Sequence, residues 1–555
     1  MKSSNSLKWL LNKSKGQRGK FIALILANAI FSIMTVAFAY LVKIVVDGAV
    51  NGDKQTFLFG AIAIVVAIIL QFVLRLIVNG LAEHIKGKLE IDYKTSLFKS
   101  ILGSKYSKVT AYHSGELMNR LTADVGVVAD GVSTIIPTVV ASIVRLLCGV
   151  VVLCLIDWTF ALALIIAGVL VFLIIALLRG KLKSLHKGVQ ETDGKTRSFM
   201  QEIIENILAV KVFSSTDKAQ KIASDLQKEN FDVKMKRKNY SVLGTASYNF
   251  VFSAGYLFAL IYGGAKIFTG ALGFGYGDLS AILQLVNSIQ VPFASLSGVM
   301  PKYYSTIASA ERLMEVEDLE QDQTLDRADA KQLYAKLQKI VVDGVTFTYG
   351  DREGVYQDAS ITFNKGQSVA ITGLSGVGKS TIMKLMLGVY PLDNGEIYFD
   401  LGDSKQALGE YTRSLFSYVP QGNMLFSGTI KDNVTFIKGD ASQEEIDFAL
   451  KVSCADQFVN DLPDKIMTVV GENGMGLSEG QVQRLAIARA VLSGAPIMLL
   501  DEATGSLDEK TEKQVIENLL SLKDTTVILV SHRISAAGMC DRIIKVENKK
   551  FFTQD

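Results

Sequence analysis

Cysteine is scarce in this chain. Its four residues in 555, Cys148, Cys154, Cys454 and Cys540, show none of the CxxC spacings from which metal and redox centres are built, and they read as ordinary thiols. Net charge is scarce as well. A formal +3 over this length supports no polyanion-binding surface, so no nucleic-acid partner is expected. The opening MKSSNSLKWLLNKSKGQRGK is basic with one brief apolar stretch, and no small-residue cleavage site follows the first long apolar run, so it is not a removable signal. No internal repeat or low-complexity tract occurs. What the chain has in excess is apolar character: 49% of its residues are hydrophobic and its mean hydropathy is +0.29, above the range of soluble chains this long. A membrane part is expected, within a chain long enough for about three or four units of ordinary size.

The apolar residues gather in the first three hundred positions, in runs near the ~20 residues that cross a bilayer. Six spans are placed at Phe21 to Ala49, Phe57 to Val78, Val132 to Ile156, Trp158 to Leu178, Leu243 to Phe268 and Leu279 to Met300. Long polar segments separate the second span from the third and the fourth from the fifth, and they are rich in Lys and Arg, as in RGKLKSLHKG and KMKRKN. The other connections, DGAVNGDKQ, the turn at Asp157 and Trp158, and TGALGFGYGD, are short and carry few basic residues. Lys and Arg bias loops to the cytoplasm, so both termini and both long loops are expected inside, in a multi-pass protein of the plasma (inner) membrane. Phe199, Ile203, Ile207 and Val210 in SFMQEIIENILAVKVF keep helical spacing, so the membrane helices are expected to run well beyond the lipid. Leu7, Trp9, Leu10 and Leu11 beside lysines suggest a helix lying on the inner surface before the first span.

After Met300 the character changes. The membrane region is taken as residues 1–320, a polar, helix-prone linker as 321–338, and an α/β unit as 339–555. In the last, SVAIT, PIMLLD and TVILVSH read as parallel strands buried on both faces.

The chemistry is concentrated in that third region. Gly373, Gly378, Lys379 and Ser380 in GLSGVGKST satisfy G-x-x-x-x-G-K-[ST], with the strand SVAIT before and the helix TIMKLMLG after. Backbone N–H groups around Gly373, Ser375, Gly376 and Gly378 would wrap phosphates, Lys379 would reach the β and γ positions, and Ser380, followed by Thr381, would hold Mg²⁺. The stretch IMLLDEATGSLD ends a strand in Asp501, a carboxylate for the Mg²⁺ shell, and sets Glu502 beside it to orient an attacking water. His532 follows the strand TVILVS, at the end of the sheet where ligands gather. GLSEGQVQRLAIARA, Gly476 to Ala490, is a turn of small residues entering a helix, a second shape that holds phosphate.

In this order the motifs resemble those of ABC transporters, of the exporter type in which six membrane helices are fused to one ATPase domain. Leu477, Ser478, Gly480 and Gln481 match the family's signature motif, with Glu479 where the family more often has Gly. Gln421 in YVPQGNMLFSGTIKDNV fits the Q-loop, Asp508 in GSLD the D-loop, His532 the switch histidine, and Tyr349 in FTYG the aromatic that stacks on adenine. This set covers Lys339 to Ile544. The membrane half resembles the family by helix count and by SGELMNRLTADV, Ser114 to Val125, which is similar to the first coupling segment.

The resemblance implies an all-α transmembrane domain joined to an α/β ATPase domain that binds ATP and Mg²⁺. It implies too that each ATP lies between one chain's phosphate loop and the signature residues Ser478, Gly480 and Gln481 of another, with Asp508 beside them. Ser380, Gln421 and Asp501 would hold Mg²⁺, Glu502 the water, and His532 both Glu502 and the γ-phosphate. Since Glu502 and His532 are both present, two identical copies are expected rather than a heterodimer with one crippled site. Loops near Gly115 to Asp124 and Asn206 to Phe213 would carry the closure to the membrane helices, exposing a cavity alternately to the two sides. An importer of siderophores on the same frame and an ATP-gated channel are the alternatives. No peptidase domain precedes the first span, so leader trimming is not expected.

The cargo is addressed by polar residues in the spans. Arg145 stands in mid-helix, and Arg75 follows Gln71 by four residues with Asn79 four further on. Ionisable groups at depth face an interior or a wet cavity, which would suit an anionic or amphipathic drug, lipid or peptide. Arg75 near the inner headgroups and Lys43 near the outer face can also be satisfied by snorkelling. Gln284, Asn287, Ser288 and Ser295 share one face of the last span beside Pro292, as a polar cavity wall or as a packing face.

Overall fold

The computed structural model describes residues 2–270, 273–322, 327–350, 354–422, 425–471, 474 and 476–554. They form two compact units: Met1–Phe98 with Leu117–Val316, and Lys99–Glu116 with Glu317–Asp555.

Among its described residues the first unit is built of helices joined by short turns. Long apolar runs take this form because lipid offers the backbone no partner outside the helix itself. In chain order come α1 (Lys2–Lys13), α2 (Arg18–Val50), α3 (Lys54–Gly103), α4 (Tyr106–Val109), α5 (Ser114–Asn119), α6 (Val125–Ile156), α7 (Trp158–Glu205), α8 (Ile207–Val212), α9 (Thr216–Phe268) and α10 (Tyr276–Glu317). α4 and the start of α5 belong to the second unit. Among the described residues five stretches are long and apolar enough to cross a membrane: Asn5–Val50, Lys54–Gly103, Ser114–Ile156, Thr216–Phe268 and Tyr276–Glu317. The span expected at Trp158 to Leu178 falls on α7, where most side chains from 170 to 179 lie outside the described residues. The helices continue far past the apolar runs, α9 for 53 residues.

Local chemistry sets the corners and the packing. Asp157 ends α6 in extended backbone and caps α7, accepting from the N–H groups of Thr159 and Phe160, while Lys266 of α9 donates to its other oxygen at 2.6 Å. Two glycines of α6 let α10 come close: a Cβ on Gly131 would lie 2.0 Å from Thr306 Oγ1, and one on Gly149 2.9 Å from Ile289. Small residues admit such approach in membrane bundles. Trp9 of α1 stacks on Tyr93 of α3 with ring centroids 5.5 Å apart, and Leu10 is buried, while Leu7 and Leu11 are exposed.

Three expectations change in this unit. Lys43 does not merely snorkel: its ammonium pairs with Asp278 at the start of α10, and Asp47 accepts the Gly277 N–H at 3.0 Å. The stripe through Phe199, Ile203, Ile207 and Val210 is interrupted, because α7 ends at Glu205 and α8 presents Ile207, Leu208 and Val212 to the exterior. The segment around Gly115 to Asp124 is divided: Lys99–Glu116 groups with the second unit, whereas Asp124 is buried in the first, accepting from Arg312 and Ser309. Polar residues scattered along one helix carry no signal of which neighbour will reach them.

The second unit opens with α11 (Arg327–Lys336) and is built on two sheets. An antiparallel sheet has the order β2-β1-β4-β5, from β1 (Lys339–Thr348), β2 (Gly354–Asn364), β4 (Asn394–Asp400) and β5 (Lys405–Ala407). The other has the order β12-β11-β3-β10-β9-β6, from β3 (Ser368–Thr372), β6 (Phe416–Val419), β9 (Ile497–Asp501), β10 (Thr526–Val530), β11 (Arg542–Glu547) and β12 (Lys550–Gln554). Its strands are parallel except β12. SVAIT, IMLLD and TVILV are therefore the three central strands, buried as their unbroken apolar runs required. The helices are α12 (Lys379–Met386), α13 (Ile430–Val434), α14 (Gln443–Val452), α15 (Asp456–Asp461), α16 (Glu479–Leu492), α17 (Glu509–Leu520) and α18 (Ile534–Ala537), with a two-stranded ribbon of β7 (Gly428–Thr429) and β8 (Val469–Val470).

Candidate active site

β3, β9 and β10 lie side by side, and their C-terminal ends supply most of the predicted chemistry. The loop after β3 turns on glycines held at positive φ. At Gly373 (φ 147°) a Cβ would sit 2.7 Å from the Val546 carbonyl oxygen, and at Gly378 (φ 109°) 2.4 Å from Val355 Cγ1. No other residue fits either place. The N–H groups of the first turn of α12 are thereby turned toward the loop's mouth, the arrangement that receives an anion. Lys379 is buried, its Nζ donating to the carbonyls of Gly373 (3.1 Å) and Leu374 (2.8 Å), and burial holds its pKa below the ordinary lysine value. Tyr349 donates to Thr381 Oγ1 at 3.2 Å and meets Phe347 and Tyr390 edge-on.

Asp501, 1% exposed at the end of β9, accepts from Ser380 Oγ at 2.7 Å and from Tyr418 Oη at 3.0 Å. Burial pushes its carboxyl above the ordinary range, and the Tyr418 phenol is pushed up as well. Magnesium, which the fold implies, suits this place: hydroxyl and carboxylate oxygens are its ligands, and a divalent charge would relieve a carboxylate that burial disfavours. Among the described residues no three His, Cys, Asp or Glu converge into a cage.

Glu502 follows in left-handed backbone (φ 52°), a conformation that costs energy for a residue with a Cβ. Its N–H donates to the Val530 carbonyl at 3.1 Å, so β10 fixes the turn. Its two oxygens are each taken from a different loop: Gln421 Nε2 reaches one at 2.7 Å and His532 Nε2 the other at 2.7 Å. Three residues separated by tens of positions in sequence thus meet at one carboxylate. They line a cavity of about 340 Å³ together with Glu479, Gln483 and Arg533.

The signature residues form a group of their own. Ser478 caps α16 by a reciprocal pair with Gln481: Gln481 N–H to Ser478 Oγ at 3.3 Å, and Ser478 N–H to Gln481 Oε1 at 2.9 Å. Gly480 is required by a close neighbour, since a Cβ there would lie 2.9 Å from the Ser506 carbonyl oxygen. Asp508 caps α17, accepting from the Thr511 N–H. Among the described residues no hydrogen bond joins Ser478 or Gln481 to the loop of Gly373 to Gly378.

Four further residues escape a reading of motifs. Tyr418 holds Asp501, as above. Arg533 donates to the carbonyls of Leu507 (2.9 Å) and Gly505 (3.1 Å) and to Glu512 Oε2 (2.7 Å); Thr504 donates to the other oxygen of Glu512 (2.7 Å). This network ties the loop 504–507 to the residue that follows His532. The only hint in sequence is the arginine beside the histidine.

A glycine-bent loop over a helix start, facing a strand-end carboxylate in a parallel sheet, makes the second unit an ATPase of the P-loop kind, carried on a chain whose other unit is made of membrane-length helices. The chain belongs to the ABC transporters: residues 21–293 match the family described as ABC transporter transmembrane region, and residues 356–505 that described as ABC transporter. It is a half-transporter of the exporter type. It is 29% identical over 560 residues to ABC transporter B family member 1 of Dictyostelium discoideum, covering 99% of this chain and 60% of that longer protein. It is 28% identical over 542 residues to the ATP-dependent lipid A-core flippase of Syntrophus aciditrophicus (strain SB), covering 97% and 89% of the two chains. The structure of a bacterial Atm1-family ABC exporter with ATP bound shares the fold, with a TM-score of 0.81, 22% identity, and 96% and 94% of the two chains covered.

Proposed function

We propose that two copies of this chain form an ATP-driven exporter of an amphipathic, anionic cargo, hydrolysing ATP at two sites that each draw on both copies. The observation that carries the ATPase half of this reading is Glu502 held between Gln421 and His532. That arrangement would hold the carboxylate to orient an attacking water, with a histidine to steady it, which is positioning chemistry of the kind phosphoryl transfer requires. Ser380 and Asp501, with Gln421 close by, would hold Mg²⁺, which supplies charge stabilisation when bound. Lys379 and the loop N–H groups bind the phosphates, and Tyr349 would support the adenine. A second copy's Ser478, at the start of α16, is then the group offered to the γ-phosphate. Closure around ATP favours one arrangement of the two copies over the other, and its loss on hydrolysis resets the membrane helices.

The cargo assignment rests on Arg145. Its Nε donates to Ser288 Oγ of α10 at 3.1 Å, and among the described residues no carboxylate pairs with it. A guanidinium at that depth without a counter-charge favours an anionic group in a passage beside the α6–α10 contact. Arg75 and Asn79 are exposed on α3 and Gln71 bonds the Met34 carbonyl, so they add nothing to this passage.

Paired cysteines test the sharing of sites. In a variant whose native cysteines are replaced, Ser375→Cys with Ser478→Cys should crosslink two chains, and only when ATP is trapped by Glu502→Gln. A crosslink within one chain would overturn the shared site. Arg145→Gln should abolish stimulation of the ATPase by anionic amphiphiles and spare the basal rate; unchanged stimulation would remove the cargo assignment.

A further inference from the structure

The cytoplasmic part of the α7–α9 pair carries a concentration of positive charge that neither the nucleotide site nor the cargo passage uses. Contacts fix the register of the two antiparallel helices. Gly188 lies against Val233, a Cβ on it falling 3.4 Å from Val233 Cγ1. One turn further out Asp193 accepts from Asn230 (2.9 Å) and Lys234 (3.1 Å), and Thr192 meets Asn230. Ten residues from Gly188 and Val233 toward the membrane stand Leu178 and Leu243, the last and first residues of the two apolar runs. Both runs therefore stop at one level.

Just outside that level lie Lys181 and Lys187 on α7 and Lys236, Arg237 and Lys238 on α9. At the helical rise they fall about 5 to 14 Å beyond the apolar edge, within reach of the headgroup layer for side chains that snorkel. Lys181, Lys187, Lys236 and Lys238 are exposed. The acids at this level are Glu191, 3.6 Å from Lys187, Asp193, taken by Lys234 with Arg197 at 4.0 Å, and Asp232, exposed four residues before Lys236 on α9. Among the described residues Lys181, Lys236, Arg237 and Lys238 have no acidic partner. Burial and the Arg237 charge across the pair hold the His186 imidazole below its ordinary pKa. Like charges are thus gathered at one height on two packed helices. Self-repulsion of this kind is relieved by an anionic surface, and each Lys or Arg close to one contributes attraction.

We infer that this belt is a docking surface for anionic phospholipid headgroups of the cytoplasmic leaflet, so that the exporter selects such lipids for its boundary. The inference depends on the hairpin being cytoplasmic, which the membrane reading above supplies, and is independent of cargo.

Its test uses the full-length protein in nanodiscs of equal parts phosphatidylglycerol and phosphatidylcholine. Spin-labelled phosphatidylglycerol should be favoured over spin-labelled phosphatidylcholine at the protein surface by about fivefold at low salt, and the preference should fade at high salt. The triple variant Lys181→Gln, Lys236→Gln, Lys238→Gln should lose most of this selectivity while its ATPase rate in detergent stays that of the wild type. Equal association of the two lipids with the wild type, or full selectivity in the variant, would overturn the proposal. A failed ATPase in detergent would instead count against the reading of the nucleotide site.

Discussion

Asp501 shows how a single residue can serve chemistry at the expense of the fold. Burial raises its carboxyl pKa, so the folded unit holds that proton more tightly than the unfolded chain does. The sign follows: stability from this group is complete at acid pH, is lost as pH rises from the unfolded carboxyl's value to the raised one, and stays lost above it. Asp501→Asn should therefore unfold later than wild type by an amount that grows with pH, while its Mg²⁺-dependent ATPase falls to background. Thermal melts of nucleotide-free protein across pH would check it; a difference independent of pH would refute the assignment. Glu512, 2% exposed, gives the opposite case. Its two oxygens satisfy Thr504 and Arg533, so Glu512→Ala should cost about 2–4 kcal/mol and release the loop 504–507. We expect kcat to drop with little change in nucleotide affinity, measured by fluorescent ATP binding beside turnover. Much of the site was legible at this scale because phosphate loops, strand-end acids and helix caps are local in sequence. Tyr418, Thr504, Glu512 and Arg533 were not, since each matters through a partner that only folding brings near.

At the scale of elements, α16 is positioned by what one of its residues lacks. Gly480 lets the helix start against the Ser506 carbonyl, and Gln483 accepts the Ser506 N–H at 3.1 Å. Gly480→Ala should push the helix start off that loop, costing about 1–3 kcal/mol and at least tenfold in ATPase rate with the fold retained by circular dichroism. An unaltered rate would show that the contact does not position the signature residues. A second element binds the start of the ATPase unit to the end of α3: the Lys105 N–H donates to the Glu320 carbonyl and Asp322 N–H to that of Gly103, while Lys105 Nζ contacts Glu320 and Glu410. The strands and most helices were legible as periodic or apolar runs. The break of α7 at Asn206 and the division of the segment at Glu116 were not, because helix-forming residues continue through both places and tertiary packing decides where the chain turns.

For the whole molecule, the proposal that a second copy's Ser478 completes each site makes activity a property of pairs. ATPase activity per chain in detergent should fall as the protein is diluted below its dimer dissociation constant, and a mixture of Lys379→Ala and Ser478→Ala chains should regain part of the rate that each lacks alone. Steady-state phosphate release on serial dilution and on mixing measures both; a rate independent of concentration with no complementation would exclude shared sites.

The 53-residue length of α9 has a mechanical side. A rod of about 80 Å swings its tip by about 7 Å for every five degrees of tilt, so an adjustment at one end that no crystallographer would call large becomes a displacement the size of a lipid headgroup at the other. In the exporter proposed above, stiffness along that rod, rather than strength at any contact, would set how faithfully a stroke is passed on, and a proline placed midway should leave the engine running with the load disconnected.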